Sequence, residues 1–240
     1  MKDHLGILIL SCDKNSDLWK PYFSLFWKYY NASYPVYLGS NSIDYNGDNV
    51  RVIYSGEDID WSTSCKTILR QIPNKYILLL LEDLFITSKI NSSEISEHIK
   101  FLKKHEAKHL HLGPTPKPDY FLDKSIGVYE RGAPYRVNVV GYWNKEYLLG
   151  LLMNGESPWD FEIKGSYRTV NEDGFFCLEK PLFSVTHVME KGYWLPEAVD
   201  YCKHNDVSLE IDKRQILSNL KNSLYRFFIT NGFLGLCCKS

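Results

Sequence analysis

Apolar residues follow two different periods along this chain. Leu5–Leu10 is a continuous apolar run, interrupted only by Gly6 and closed by Ser11, Cys12, Asp13 and Lys14, and it reads as a buried strand. From Leu18 to Tyr30 the spacing becomes helical, with large apolar groups at Leu18, Tyr22, Leu25, Phe26 and Tyr29. Ser16 or Asp17 would cap that helix, and Pro21 is tolerated near its start. Val36–Leu38 and Val50–Tyr54 are short strands bounded by Gly, Asn, Ser or Asp, and Asp60 or Ser62 opens a second helix to about Gln71. Tyr76–Leu81 follows a Pro73-Asn74 turn and stops at Glu82 and Asp83, the signature of a central parallel strand covered on both faces. A third helix from about Ser92 to Lys104 carries Ile95, Ile99 and Leu102 on one face, and His109–Leu112 returns as a strand. This alternation predicts an α/β class with an open, mostly parallel sheet flanked by helices.

Three prolines in 113–119 mark a soft boundary between a first half, 1–113, and a second half, 114–200. Beyond it, Ser125–Glu130 and Tyr135–Trp143 read as strands of a mixed edge, Lys145–Met153 as a helix and Leu182–Met189 as another strand. From Lys213 onward the chain has five basic residues and no acidic one. There Ile216, Leu217, Leu220, Leu224, Phe227 and Phe228 share a helical arc of about 120°, flanked by Arg214 and Lys221. The tail, 201–240, is therefore expected to hold an amphipathic helix, which either lies on an anionic membrane surface or docks on the protein's own core.

The 240 residues suffice for one domain with a core and a cleft. With 28 Lys and Arg against 29 Asp and Glu, no global field points to nucleic acid. Six cysteines without a CxxC pair predict reduced thiols rather than a disulfide framework or a zinc site. No apolar run approaches the roughly 20 residues of a membrane span, and no signal-peptide pattern is present. The expectation is a cytoplasmic protein, peripheral on the inner membrane if the tail binds it.

In an open α/β sheet, ligands bind beyond the carboxyl ends of the strands. Those ends are Ser11, Cys12 and Asp13, then Ser40 and Asn41, then Ser55, Gly56 and Glu57, and finally Glu82 with Asp83. No GxGxxG follows the first strand, and no GxxxxGK[ST] or GxSxG occurs, which removes the usual dinucleotide, P-loop and hydrolase designs. Carboxylates hold a diphosphate only through Mg²⁺ or Mn²⁺; otherwise Glu82 and Asp83 bind sugar hydroxyls or merely end the strand. Lys66 and Arg70, four apart, form a helix face that either offsets diphosphate charge or is solvated. Ser157-Pro158-Trp159-Asp160-Phe161-Glu162 reads as a helix start, with Ser157 as cap, and Glu172-Asp173 is a rival acidic pair in a turn.

The run 7–15 (Ile-Leu-Ile-Leu-Ser-Cys-Asp-Lys-Asn), Leu18-Trp19, Trp61-Ser62, the run 76–85 around Glu82-Asp83, and Ser157–Glu162 occur in an order that resembles bacterial GT-A-like, family 2-like glycosyltransferases of capsule and O-antigen loci. The likeness covers most of residues 5–195. It implies a Rossmann-like GT-A fold and a nucleotide-sugar donor, a UDP-sugar first, held by Ser11, Cys12, Asp13, Asn41, Trp61, Lys66, Glu82 and Asp83. The acceptor would be a hydroxyl of a lipid-linked oligosaccharide in surface polysaccharide synthesis, and transfer would be inverting. Asp160 or Glu162 would be the general base and Trp159 a flat face for an acceptor sugar, while Asp83 with Lys66 would stabilise the leaving diphosphate. His187 would join Asp83 in a Mn²⁺ or Mg²⁺ shell. Leu84 stands where relatives often carry another Asp, which leaves metal independence open. Two rivals remain. A sugar-1-phosphate nucleotidyltransferase would usually have a Gly-rich loop where this chain has Ser11–Asp17, and a non-catalytic membrane-associated subunit of a polysaccharide assembly complex would bind no nucleotide usefully.

Overall fold

The computed structural model describes residues 4–31 and 34–218. In chain order its elements begin β1 (Leu5–Leu10), α1 (Ser16–Tyr29), β2 (Val36–Ser40), β3 (Val50–Tyr54), α2 (Trp61–Gln71), β4 (Tyr76–Leu81), β5 (Leu84–Ile86), α3 (Ser92–Lys104) and β6 (His109–His111). They continue β7 (Tyr120–Phe121), β8 (Ile126–Tyr129), β9 (Gly141–Asn144), α4 (Lys145–Leu151), α5 (Pro158–Arg168), β10 (Phe175–Leu178), β11 (Val185–His187), β12 (Met189–Glu190), β13 (Tyr193–Trp194) and α6 (Pro196–His204). Nine strands form one sheet in the order β3-β2-β1-β4-β9-β6-β10-β8-β7. Within it β8 and β9 run against the rest. This is the α/β class expected from the sequence, an open, mostly parallel sheet flanked by helices.

The continuous apolar runs are explained by cover on both faces. Leu5, Ile7 and Ile9 of β1 and Tyr76, Leu78 and Leu80 of β4 pack with α1, α3 and α6, whereas Leu8, Leu10, Ile77 and Leu79 pack with α2, α4 and α5. Each such side chain contributes roughly 1.5–3 kcal/mol on burial. Asp60 caps α2, accepting from the Thr63 amide at 2.8 Å and the Ser62 hydroxyl at 2.6 Å. Among the described residues no helix is long and apolar enough to cross a membrane.

Four expectations are corrected. Tyr135–Trp143 is a strand only from Gly141, because the Val137 and Val139 amides are taken by the Ser166 hydroxyl and the Glu162 carboxylate. That strand, β9, lies not at an edge but between β4 and β6, which is why Tyr142 and Trp143 are fully buried. A Cβ on Gly141 would meet His109 at 2.5 Å, so only glycine permits this close approach. Leu182–Met189 is broken into β11, against β5, and β12, against β13. At the start of α1 the N-cap is Asn15, without a side-chain cap bond, and Asp17 pairs with Arg214 instead. In the tail, the stretch after Lys213 is extended rather than helical: Trp194 donates to Gln215 at 2.9 Å, and Leu217 donates to Trp194 at 2.8 Å and is buried. The rest of the expected amphipathic helix, with Leu220, Lys221, Leu224, Phe227 and Phe228, lies outside the described residues.

Candidate active site

The loops after β1, β2 and β3 are tied together by two side chains. Asp13 accepts from the Ser40 hydroxyl at 2.8 Å, the Asn41 amide at 3.0 Å and the Ser42 hydroxyl at 2.6 Å. Desolvation pushes its pKa up, but the bonds from Ser42, Ser40 and Ile43 outweigh it and hold the carboxyl well below the usual range. Asn41 accepts from the Asp13 amide at 3.0 Å and donates to the Ser55 hydroxyl at 3.1 Å. Asp13 and Asn41 thus shape this rim through bonds within the protein. Ser11 accepts from the Trp19 indole at 2.7 Å. Cys12 is half-buried, and burial, then Glu82 and Asp58, raise its thiol pKa.

Glu82 and Asp83 form the turn between β4 and β5, at the carboxyl end of the central strand. Glu82 is buried and accepts from the Asn15 amide group at 2.6 Å. Burial first, then the Asp83 charge, push its pKa up to about 7 against lowering contacts from Asn15 and Ser11. Asp83 is raised by desolvation, opposed by His187, and its Oδ1 is buried without a partner among the described residues. The β5–β11 pairing sets His187 opposite Leu84, and the Val188 amide donates to the Asp83 carbonyl at 3.0 Å. The structure therefore brings Asp83 and His187 together.

Because the folded pKa of Glu82 lies above its ordinary 4.5, the stability linked to its proton is full below about 4.5 and is lost as pH rises through about 7. Glu82→Gln, which cannot ionise, should match the wild type at pH 4.5 and be more stable at pH 8, by on the order of 3 kcal/mol. Thermal denaturation of both proteins in EDTA at the two pH values measures this. A stability difference that does not change with pH would mean that Glu82 ionises freely.

On the other side of the cleft, α2 and α5 meet at their N-termini. The Glu156 amide donates to the Ser62 hydroxyl at 3.1 Å, and Trp61 lies 5.6 Å from Phe161, ring to ring. Since α2 follows β3, this junction also sits at the carboxyl end of the sheet. Asp160 closes a capping box with Ser157 and pairs with Lys164 at 2.8 Å. Lys164, then Ser157, lower its carboxyl to about 2. Glu162 is different: it accepts from the Val139 amide at 2.9 Å, just before β9 and next to the end of β4, and desolvation raises its pKa. Trp159 is 64% exposed on the same helix. Lys66 donates to Asn154 at 2.8 Å. Glu172 is bound by Lys108 and Tyr147, each at 2.7 Å, and Asp173 by Arg131; both precede β10 and so lie at the opposite, amino end of the sheet.

One cation escaped the sequence reading as a site residue. Arg214 donates to both oxygens of Asp17, to the Lys14 carbonyl at 2.7 Å and to the Asn15 side-chain oxygen at 2.8 Å. Its charge is held first by Asp17, with Glu82 and Cys12 adding. With Lys14, Ser16 and Lys213 it lines a polar cavity of about 450 Å³ beside the N-terminus of α1.

A divalent ion would find only Asp83 and His187 here, and no cluster of three acidic, His or Cys side chains gathers among the described residues. The unpartnered Asp83 oxygen fits an ion that takes its remaining ligands from a diphosphate and water, as Mg²⁺ commonly does.

No family model and no curated protein sequence matches the chain. Among solved structures, the 1–349 fragment of S. aureus TarS is similar over 73% of this chain and 60% of its own, at 10% identity and a TM-score of 0.45. The same fragment in complex with UDP gives 72%, 60%, 9% and 0.46. A Desulfovibrio desulfuricans G20 protein described as a nucleotide-diphospho-sugar transferase is covered over 99% of its length and 97% of this chain, at 8% identity and 0.46. The chain thus spans 60% of the TarS fragment. Likenesses this distant concern the chain trace and leave the chemistry to the site itself.

Proposed function

We propose that this chain is a glycosyltransferase that moves a sugar, a hexose or aminosugar, from a nucleotide diphosphate, UDP first, to a hydroxyl of a lipid-linked oligosaccharide in surface polysaccharide synthesis, with inversion. The observation that supports it is the pair of unlike carboxylates at one sheet end. Asp83 offers a buried, unpartnered oxygen at the central strand, and Glu162, tethered to Val139, stands beside the same strand end. In this reading residues 1–113 bind the donor and 114–200 the acceptor. Glu162 takes the acceptor proton, its desolvated carboxylate being more basic than ordinary. Trp159 stacks on the acceptor sugar. Asp83 and His187 would hold a Mn²⁺ or Mg²⁺ ion, which neutralises the leaving diphosphate when bound.

A thermal-shift panel of UDP-, GDP-, CMP- and dTDP-sugars, with and without Mn²⁺, tests the donor. A ligand at 100 times its Kd stabilises by about 2.7 kcal/mol, and no shift with any of them would sink the reading. Glu162→Gln should lower the transfer rate by about 10²- to 10⁴-fold with donor affinity kept, whereas Asp160→Asn should leave the rate near wild type. Equal losses in the two variants, seen in steady-state kinetics, would point to the helix end rather than to a base.

A further inference from the structure

Leu81 and Leu84, on either side of the Glu82-Asp83 turn, face Leu112, Val140, Phe183 and Val185 across a cavity of about 180 Å³. None of the lining side chains is charged, and the one hydroxyl among them, that of Tyr22, is buried and without a partner among the described residues. Of the lining residues Val185 is 41% exposed, while Leu112 and Ile86 are buried. An apolar cavity of about 150 Å³ takes up benzene, so this one accommodates about six carbons. A sugar ring of that size would find one side-chain hydroxyl, that of Tyr22, and leave most of its own hydroxyls unpaired, which disfavours it.

We propose that this cavity receives the first hydrocarbon segment, about six carbons long, of an apolar aglycone on the acceptor. The word acceptor rests on the glycosyltransferase reading above; the apolar site does not. A group seated there lies beside the Asp83 turn, so the sugar it carries is held at the cleft rather than at a remote surface. The cavity would discriminate between a lipid-linked sugar and the same sugar free in water.

The test uses n-alkyl glucosides from methyl to octyl, below their micelle concentrations, titrated into the full chain by NMR. The Kd should fall about fourfold per methylene up to roughly six carbons and then level off. Phe183→Ala, which enlarges the cavity, should move the plateau to longer chains. Val185→Trp should abolish the length dependence while UDP still binds and circular dichroism stays native. A wild-type Kd independent of chain length, or a folded Val185→Trp protein with unchanged dependence and a Phe183→Ala plateau that stays put, overturns the proposal. UDP binding reads the donor site separately. Length dependence without UDP binding would keep a hydrocarbon site and overturn its assignment to an acceptor.

Discussion

Asp83→Asn should remove sugar transfer and leave the fold intact. The carboxylate sits in the β4–β5 turn, and its Oδ1 makes no hydrogen bond among the described residues, so the isosteric amide breaks no packing. Desolvation raises its pKa, so the folded state disfavours the charged form; the neutral amide should match or exceed the wild type in stability, the more so as pH rises above the ordinary 3.8. On the glycosyltransferase reading proposed above, the amide would lose the charge that would hold a diphosphate-bound cation or accept from sugar hydroxyls. Loss of one such preorganised group costs about 10²- to 10³-fold in kcat, and loss of a cation with it costs more. Transfer assays beside urea denaturation check both halves. Near-wild-type turnover would refute the assignment of the donor site. EDTA then separates the two chemistries: if Asp83 acts through an ion, chelation reproduces the Asn phenotype and Mn²⁺ restores the wild type. Should Asp83 bind sugar hydroxyls directly, EDTA leaves the wild-type rate unchanged.

The central strands were legible because a strand covered on both faces must be apolar at every position. β1 and β4 begin and end where the sequence pattern places them, as do the edge strand β3, bounded by turn residues, and α3 with its one-sided stripe. Short elements were not: β5 has three residues and exists because β11 lies beside it, a pairing about 100 positions apart that no local period records. That pairing, rather than any motif, carries His187 to Asp83. Roles were less legible than places. Asp13 follows a strand and reads as a ligand-facing acid, yet its hydrogen bonds bind the next loop; Asp160 and Glu162 share a motif, and only the neighbouring Lys164 and Val139 separate a capping carboxylate from a desolvated one. The tail misled for a related reason. Helical periodicity in Ile216 and Leu217 is overridden by the backbone of Trp194, which pairs with this stretch as an extended segment.

Arg214→Met should destabilise the protein by about 3–5 kcal/mol, since it strands the Asp17 carboxylate, whose side chain is 4% exposed, without a counter-charge. The pair spans 197 positions and fastens the segment after α6 to the first turn of α1. The double variant Asp17→Asn/Arg214→Met should regain most of that loss, because the uncompensated buried charge is then gone. Urea denaturation of the two single variants and the double gives the coupling directly; a cost below about 1 kcal/mol for Arg214→Met would class the pair with exposed ion pairs. A functional consequence follows through Asn15, which accepts from Arg214 and donates to Glu82. Without Arg214, Asn15 loses the contact that orients it, Glu82 loses a lowering partner, and UDP-sugar affinity should fall even in the fraction that stays folded. The same contacts decide how the tail is tested for membrane binding. Of its five basic residues, Arg214 is committed to Asp17 and Lys213 to Glu210 at 2.6 Å, so a cut before Lys213 removes a structural clamp along with the tail. Truncation after Ser218 leaves the clamp in place, so cosedimentation at low and high salt beside urea denaturation separates the two readings of the tail: lost vesicle binding at unchanged stability marks a membrane contact, lost stability a docked helix. Truncation after Asp212 should cost as much stability as Arg214→Met or more, Leu217 being lost from the core as well.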